Sequence, residues 1–257
     1  MDHLPCDAVI VDFDRTLLRT DKSISEYTVG VLREWREAGA CLFAATARPE
    51  RSITVYRELI PFDAVTTLNG ARTITPGSVY EEAISARSAE TVLEQLSGVP
   101  GMVISAETGN GFFANTDIPV WSPAVVDDIR ILAGKEKIYK IVATHPDLPA
   151  DRISLNLSDD IYTTVADRKL LQVMSSTATK WNGVRRMLDA YRISAASAVY
   201  FGDDNDDIGP IRECGCGVAV SNALEHVREA ADYVTRSNDE DGVAFFLSGL
   251  ARNQFVF

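Results

Sequence analysis

Ala8-Val9-Ile10-Val11-Asp12-Phe13-Asp14 is the stretch on which the fold turns. Four apolar residues, three of them β-branched, run without a polar break into a pair of carboxylates. A short apolar run of this kind marks a strand buried on both faces, as in a parallel sheet between two helical layers. Open parallel sheets bind their ligands beyond the carboxyl ends of the strands, which is where Asp12 and Asp14 fall.

The same alternation extends outward from this strand. Ile24, Tyr27, Val31, Leu32 and Trp35 recur at helical spacing, and Gly39 closes that helix. Residues 40–45 form a second buried run ending at Thr46; residues 51–59 predict a helix, and residues 64–68 a third strand ending at Asn69. The rhythm then breaks. Residues 72–83 read as a hairpin around Pro76-Gly77, residues 88–96 as a helix, and residues 102–106 with 111–115 as another hairpin. A helix is predicted over 123–132, and strands over 138–144, 153–157, 162–166 and 170–174. After that the first rhythm resumes: helix 180–191, strand 197–201 ending in Gly202-Asp203-Asp204, helix 206–214, strand 217–220, helix 223–231, strand 232–235 and helix 242–250. The predicted class is α/β, a Rossmann-like parallel-sheet core at 1–83 and 177–257 interrupted by an α+β insertion at 84–176.

Composition narrows the function. The chain has 257 residues, 46% of them hydrophobic, which suffices for a large core and a smaller second unit. Its net charge is -12 with no run of Lys or Arg, which disfavours nucleic acid or an anionic membrane as partner. No stretch reaches the ~18 apolar residues of a membrane span, and Met1-Asp2-His3-Leu4-Pro5 does not open a signal peptide. The four cysteines have no paired zinc spacing, so reduced thiols in a cytoplasmic protein are expected.

Four predicted strand ends carry polar side chains to one edge: Asp12 and Asp14, Thr46, Asn69, and Asp203 with Asp204. A carboxylate can attack phosphorus and form an aspartyl phosphate, provided cations offset the repulsion between the two anions. Mg²⁺ is the hard cation suited to that task, and Asp203 is the third carboxylate available to hold it. Lys180, at a helix start, supplies a fixed cation, and Thr46 a hydroxyl for a phosphate oxygen. Asp14 can protonate a leaving alcohol and later activate water. Alone, a D-x-D pair is as readily a helix cap or solvated turn, and a lone lysine is usually a surface residue; the convergence carries the reading.

These motifs resemble those of the haloacid dehalogenase superfamily. Asp12-Phe13-Asp14-Arg15-Thr16-Leu17-Leu18 is similar to its first motif, D-x-D-G-T-L; Ala45-Thr46-Ala47-Arg48 to its second, in the T-G-R variant; Thr179-Lys180 to its third; and Gly202-Asp203-Asp204-Asn205-Asp206-Asp207 to its fourth, G-D-x-x-N-D. Asn69-Gly70-Ala71, Val218-Ala219-Val220-Ser221-Asn222-Ala223 and the segments 230–235 and 238–243 resemble the Cof-type (type IIB) sugar-phosphate phosphatases, whose C2-type cap lies where this chain has its insertion. The resemblance implies Asp12 as nucleophile, Asp14 as general acid/base, and Mg²⁺ held by Asp12, the Asp14 main-chain carbonyl and Asp203. It further implies Asp204 and Asp207 in support of the metal, and Thr46, Arg48, Asn69 and Lys180 around the phosphoryl group.

Four residues depart from the pattern. Arg15 replaces a glycine and is expected to face solvent, with substrate contact as the alternative. Ala47 also replaces a glycine, a mild change if the turn keeps φ negative. Asp206 replaces an asparagine and either tightens metal binding or caps the next helix. Trp181 replaces a glycine and has no role legible in sequence. Cys214-Gly215-Cys216 reads as two small core residues, the histidines at 3, 145 and 226 form no ligand set, and Asp239-Glu240-Asp241 reads as an acidic helix start. Phe112, Phe113, Asn115 and Trp121 suit either a sugar pocket or the core of the insertion. The expected function is Mg²⁺-dependent hydrolysis of a small phosphorylated metabolite. Its rivals are a phosphomutase of the same fold and a non-catalytic sugar-phosphate sensor.

Overall fold

The structure, a computed structural model, describes residues 6–166, 168–252 and 254; His3 and the N-terminal pentapeptide lie outside them. In chain order the elements are β1 (Ala8–Val11), α1 (Glu26–Glu37), β2 (Cys41–Ala45), α2 (Thr54–Leu59), β3 (Ala64–Thr67), β4 (Arg72–Thr75), β5 (Ser78–Glu81), α3 (Ala86–Ser97), β6 (Val103–Thr108), β7 (Gly111–Ala114) and β8 (Ala124–Val125). They continue as β9 (Ile138–Thr144), β10 (Ile161–Ala166), β11 (Leu170–Ser175), α4 (Lys180–Tyr191), β12 (Ala198–Gly202), α5 (Ile208–Glu213), β13 (Cys216–Val220), α6 (Glu225–Ala230), β14 (Tyr233–Thr235) and α7 (Gly242–Leu250). Two compact units emerge: Met1–Tyr80 with Thr179–Phe257, and Glu81–Ala178.

The first unit is built on a sheet of order β14-β13-β12-β1-β2-β3-β4-β5. Pairing is parallel from β14 to β3 and turns antiparallel at β4. Every side chain of β1 is buried, as a strand flanked by two others and covered on both faces must be. Alternation splits its residues between two cores: Val9 and Val11 pack with Leu32, Trp35 and Phe246 on one face, Ala8 and Ile10 with Val184, Met187 and Val227 on the other. Helix α1 begins where the Ser25 side chain accepts the Thr28 N–H and ends at Gly39, whose φ of +108° needs no Cβ. Trp181 packs in the second core, its Cβ pressed against Gly209 of α5; that is the role its sequence context left blank.

The second unit carries a sheet of order β10-β11-β9-β6-β7-β8, antiparallel except between β7 and β8. Helix α3 buries Ala89, Val92, Leu93 and Leu96 against Ile104, Ile141 and Val173. Two expected elements are absent. The helix predicted over 123–132 is instead β8 followed by a 3₁₀ segment, Ile129–Gly134, because Val125 pairs beside Ala114 and the Asp128 side chain caps a new start at Arg130. The strand predicted over 153–157 is irregular chain. Ile153 and Leu155 do bury against the core, but the main chain at Asn156 bonds to the Gln95 side chain, donating its N–H (2.8 Å) and accepting at its carbonyl (3.1 Å). Its apolar alternation reflects packing, not a ladder. Residues 51–59 likewise split, into a 3₁₀ turn at Glu50–Ser52 and α2.

Candidate active site

Strands β12, β1, β2 and β3 are consecutive neighbours, so their carboxyl ends bring Asp203, Asp12, Thr46 and the Asn69 loop to one edge of the sheet. Asp12 is continuous with β1, its N–H donating to the Phe201 carbonyl at 3.0 Å. The chain then doubles back: Leu17 N–H donates to the Asp12 carbonyl and Leu18 N–H to that of Phe13, while the Phe13 ring anchors the turn in the core. Thr46 is fully buried, and its hydroxyl accepts the Arg48 N–H at 3.2 Å, which leaves its own proton available to another acceptor. Leu68, Asn69 and Gly70 are left-handed in succession (φ 52°, 57° and 98°). A Cβ at Gly70 would lie 2.0 Å from the Thr179 carbonyl oxygen, so only glycine lets this loop rest on the start of α4.

Lys180 is the first residue of α4, whose N-cap Thr179 accepts the Asn182 N–H. Its ammonium is buried and donates to Asp12 Oδ1 (2.8 Å) and Asp207 Oδ1 (2.6 Å). Burial disfavours that charge, but the two carboxylates outweigh it and the lysine pKa is raised. Asp207 is saturated: Oδ1 also accepts the Tyr200 hydroxyl (2.5 Å), and Oδ2 accepts the N–H groups of Asp203 and Asp204 (3.0 Å each). Gly202 makes room for this, since a Cβ there would fall 2.4 Å from that of Asp207.

Asp12, Asp203 and Asp207 each offer an oxygen within 4.8 Å of the others. Three buried carboxylates thus face one ammonium. Burial and the neighbouring acids raise the Asp12 carboxyl despite Lys180. Burial, then Asp207, pushes Asp203 up to about 7. This excess negative charge and the all-oxygen donor set fit a hard divalent cation. Asp12 and Asp203 retain free acceptor capacity for it, whereas Asp207 has none and serves as the strut that fixes Lys180 and the main chain at Asp203.

Asp14 stands apart from this cluster. The Arg48 guanidinium grips it through two bonds, Nε to Oδ2 at 2.6 Å and Nη2 to Oδ1 at 2.8 Å, and Lys22 Nζ adds a third at 2.7 Å. Burial raises its carboxyl, but these cations prevail and bring it down to about 2. Tyr56 backs the clamp, its ring 5.4 Å from the Arg48 guanidinium and its hydroxyl donating to the Lys22 carbonyl.

The other expected residues take the following places. The Arg48 side chain, expected at the phosphoryl group, is engaged by Asp14. Asp204, expected to support the metal, is exposed and caps the turn at Asn205–Asp207, its carboxylate accepting the Asn205 N–H. Asp206 lies in the first turn of Asn205–Asp207, outside the cluster of Asp12, Asp203 and Asp207, and accepts from the Asn69 side-chain amide, while Asn69 Oδ1 is buried with no partner among the described residues. The acidic run at 239–241 is the expected helix start, with Asp239 and Glu240 in the first turn of the 3₁₀ segment Asn238–Glu240 and Asp241 at the N-cap of α7; it also ties down the loop after the first motif, Asp239 accepting from Thr20 and Asp241 pairing with Arg19. Asn115 bonds the main chain of Ile104 and Met102, and Phe113 packs in the core, while Phe112 and Trp121 stack edge to face. Arg15 lies across Asp203 as well as facing solvent. Sequence gives no sign of the parts played by Tyr200 and Lys22, which sit in an apolar strand and a turn with no local mark of a distant partner, and Thr16 is legible only as part of its motif.

A family model of haloacid dehalogenase-like hydrolases matches residues 9–247. The chain is 26% identical over 265 aligned positions to the 5-amino-6-(5-phospho-D-ribitylamino)uracil phosphatase YitU of Bacillus subtilis (strain 168), covering 93% of this chain and 95% of that protein. Among solved structures it is similar to BT1666 of Bacteroides thetaiotaomicron, studied among phosphatases of the HAD superfamily, with TM-score 0.83, 24% identity, and 96% and 95% of the two chains covered. The HAD subclass IIB sugar phosphatase BT4131 gives TM-score 0.79 at 22% identity, covering 95% and 99%. These two structural likenesses establish the fold.

Proposed function

The chain belongs to the haloacid dehalogenase-like hydrolases and is a phosphoric monoester hydrolase; from that premise we propose that it hydrolyses a small phosphomonoester, such as a sugar phosphate, through a phosphoryl group carried transiently on Asp12. The observation that carries this reading is the placement of Asp12: a buried carboxylate at a strand end, steadied by Lys180 and flanked by Thr46 and Asp203.

In this reading Asp12 attacks phosphorus through one carboxylate oxygen while the bond to the leaving oxygen breaks. Lys180 and the Thr46 hydroxyl bind the non-bridging oxygens. The leaving oxygen takes a proton from Asp14. In the second half Asp14 accepts a proton from water as that water attacks phosphorus, releasing inorganic phosphate and restoring Asp12. The Arg48–Lys22 clamp holds Asp14 ionised, the form the second half requires; the first half requires the clamp to release it. Asp12, the Asp14 main-chain carbonyl and Asp203 would hold Mg²⁺, which when bound would supply positive charge against the repulsion between the carboxylate and the phosphate. The Glu81–Ala178 unit is proposed to set the leaving group, as a C2-type cap.

No helix among the described residues is long and apolar enough to cross a membrane, and all four cysteines are free thiols, which supports a cytoplasmic metabolite as substrate. The YitU name points to a ribityl phosphate for that relative, so polyol phosphates belong in any substrate screen beside sugar phosphates. With p-nitrophenyl phosphate and Mg²⁺, Asp12→Asn is expected to lose at least about a thousandfold in kcat. Unchanged turnover would remove Asp12 as nucleophile. Isomerised hexose phosphate without free phosphate would replace hydrolase with mutase.

A further inference from the structure

Asp203 presents its two carboxylate oxygens to different neighbours. Oδ1 accepts the Thr16 hydroxyl at 3.2 Å, and Oδ2 faces the Arg15 guanidinium, whose Nε lies 3.7 Å away. Arg15 is not a loose surface side chain, although it is 60% exposed. Its Nη2 donates to the Asn222 carbonyl (3.2 Å), and its own carbonyl accepts the Asn222 side-chain amide (2.8 Å). Asn222 Oδ1 in turn accepts the Asn238 N–H, and the Asn238 amide donates to the Leu18 carbonyl, closing a ring of bonds around the turn that follows β1. The main chain is specialised as well: Arg15 has φ +61°, a left-handed conformation that glycine adopts without cost and arginine does not. An arginine held in this conformation, tied at both ends and aimed at an acid in an over-negative cluster, is placed for its charge.

We infer that Arg15 is a resident counter-ion of Asp203 that opposes the divalent cation at the same carboxylate, so this chain binds the cation more weakly than its oxygen donors alone would. The inference rests on the metal site proposed above. A positive charge this close to a dication costs binding free energy by simple Coulomb repulsion, and its exposure makes that cost sensitive to salt. Without the cation, the same charge relieves the repulsion among Asp12, Asp203 and Asp207.

The test compares wild type with Arg15→Gln and Arg15→Lys, which share the Cβ constraint at φ +61° and differ in charge. Mg²⁺ affinity is measured by isothermal titration calorimetry, and melting midpoints are followed in EDTA and through a Mg²⁺ titration. Arg15→Gln is expected to bind Mg²⁺ roughly tenfold more tightly at low ionic strength, with the gain shrinking at 1 M salt, and Arg15→Lys to stay near wild type. Arg15→Gln should also melt lower than wild type in EDTA, the gap closing as Mg²⁺ is added. Equal Mg²⁺ affinity in wild type and Arg15→Gln, or a gain shared by Arg15→Lys, would overturn the counter-ion role while leaving the metal site standing. Failure of every variant to bind Mg²⁺, Asp203→Asn and wild type alike, would overturn the metal site itself and the inference with it.

Discussion

Tyr200 lies inside β12, its ring in the apolar layer and its hydroxyl on Asp207. That one bond links the core to the charged edge, because Asp207 also carries Lys180 and the main chain at Asp203 and Asp204. Tyr200→Phe should lower stability by about 1.5–3 kcal/mol, the range for a buried hydrogen bond to a charged acceptor. Denaturant unfolding measures it; a loss below about 0.5 kcal/mol would mean that Asp207 finds a replacement donor. Its sequence context, Ala198 to Gly202, shows only a buried strand, whereas Asp12, Asp203 and Lys180 announce themselves by type and position. The difference is physical: a carboxylate after a buried strand is out of place unless it has a function, but a tyrosine within one is ordinary core.

At the scale of elements, a serine-lined acid joins α3 to β10 in the second unit. Asp160 accepts from Ser88 (2.8 and 2.9 Å) and Ser158 (2.5 Å), and Ser85 caps the same helix end. The Ser158, Ser88 and Ser85 hydrogen bonds hold its carboxyl down at about 2, below the ordinary 3.8. A carboxyl depressed in the folded state stabilises fully above its unfolded pKa and loses that contribution as pH falls through the folded value. Amide exchange in the first turn of α3 should therefore be faster in Asp160→Asn than in wild type at pH 6, and the difference should vanish as pH drops from about 4 toward 2. A constant difference across that range would show that the carboxylate's charge is not what holds the turn. The irregular 153–157 segment belongs to this scale too: periodicity reports which side chains are buried, not whether the backbone pairs.

Over the whole molecule, acids concentrate where the core strands end, in a chain of net charge -12. Without a cation, burial raises both Asp12 and Asp203, the latter to about 7. A raised carboxyl binds, in the folded state, a proton that the unfolded chain releases at about 4, so folding is favoured as pH falls through the raised value. In EDTA the protein is expected to melt higher at pH 5.5 than at pH 8, and saturating Mg²⁺ should raise the pH 8 midpoint most. A melting midpoint indifferent to both pH and Mg²⁺ would argue that these acids are neutralised by the protein alone. The sequence by itself determined the parallel core, the order of its strands and helices, and the residues at the strand ends, because buried strands, helical faces and chain punctuation are local patterns. Only the tertiary structure decided which groups pair: Arg48 and Lys22 with Asp14, Arg15 with Asp203, the Tyr200 hydroxyl with Asp207, the Asn69 side-chain amide with Asp206. Those pairings depend on where side chains from separate strands and loops point once the sheet has formed. A charge finds its partner through space, at distances that sequence spacing does not encode.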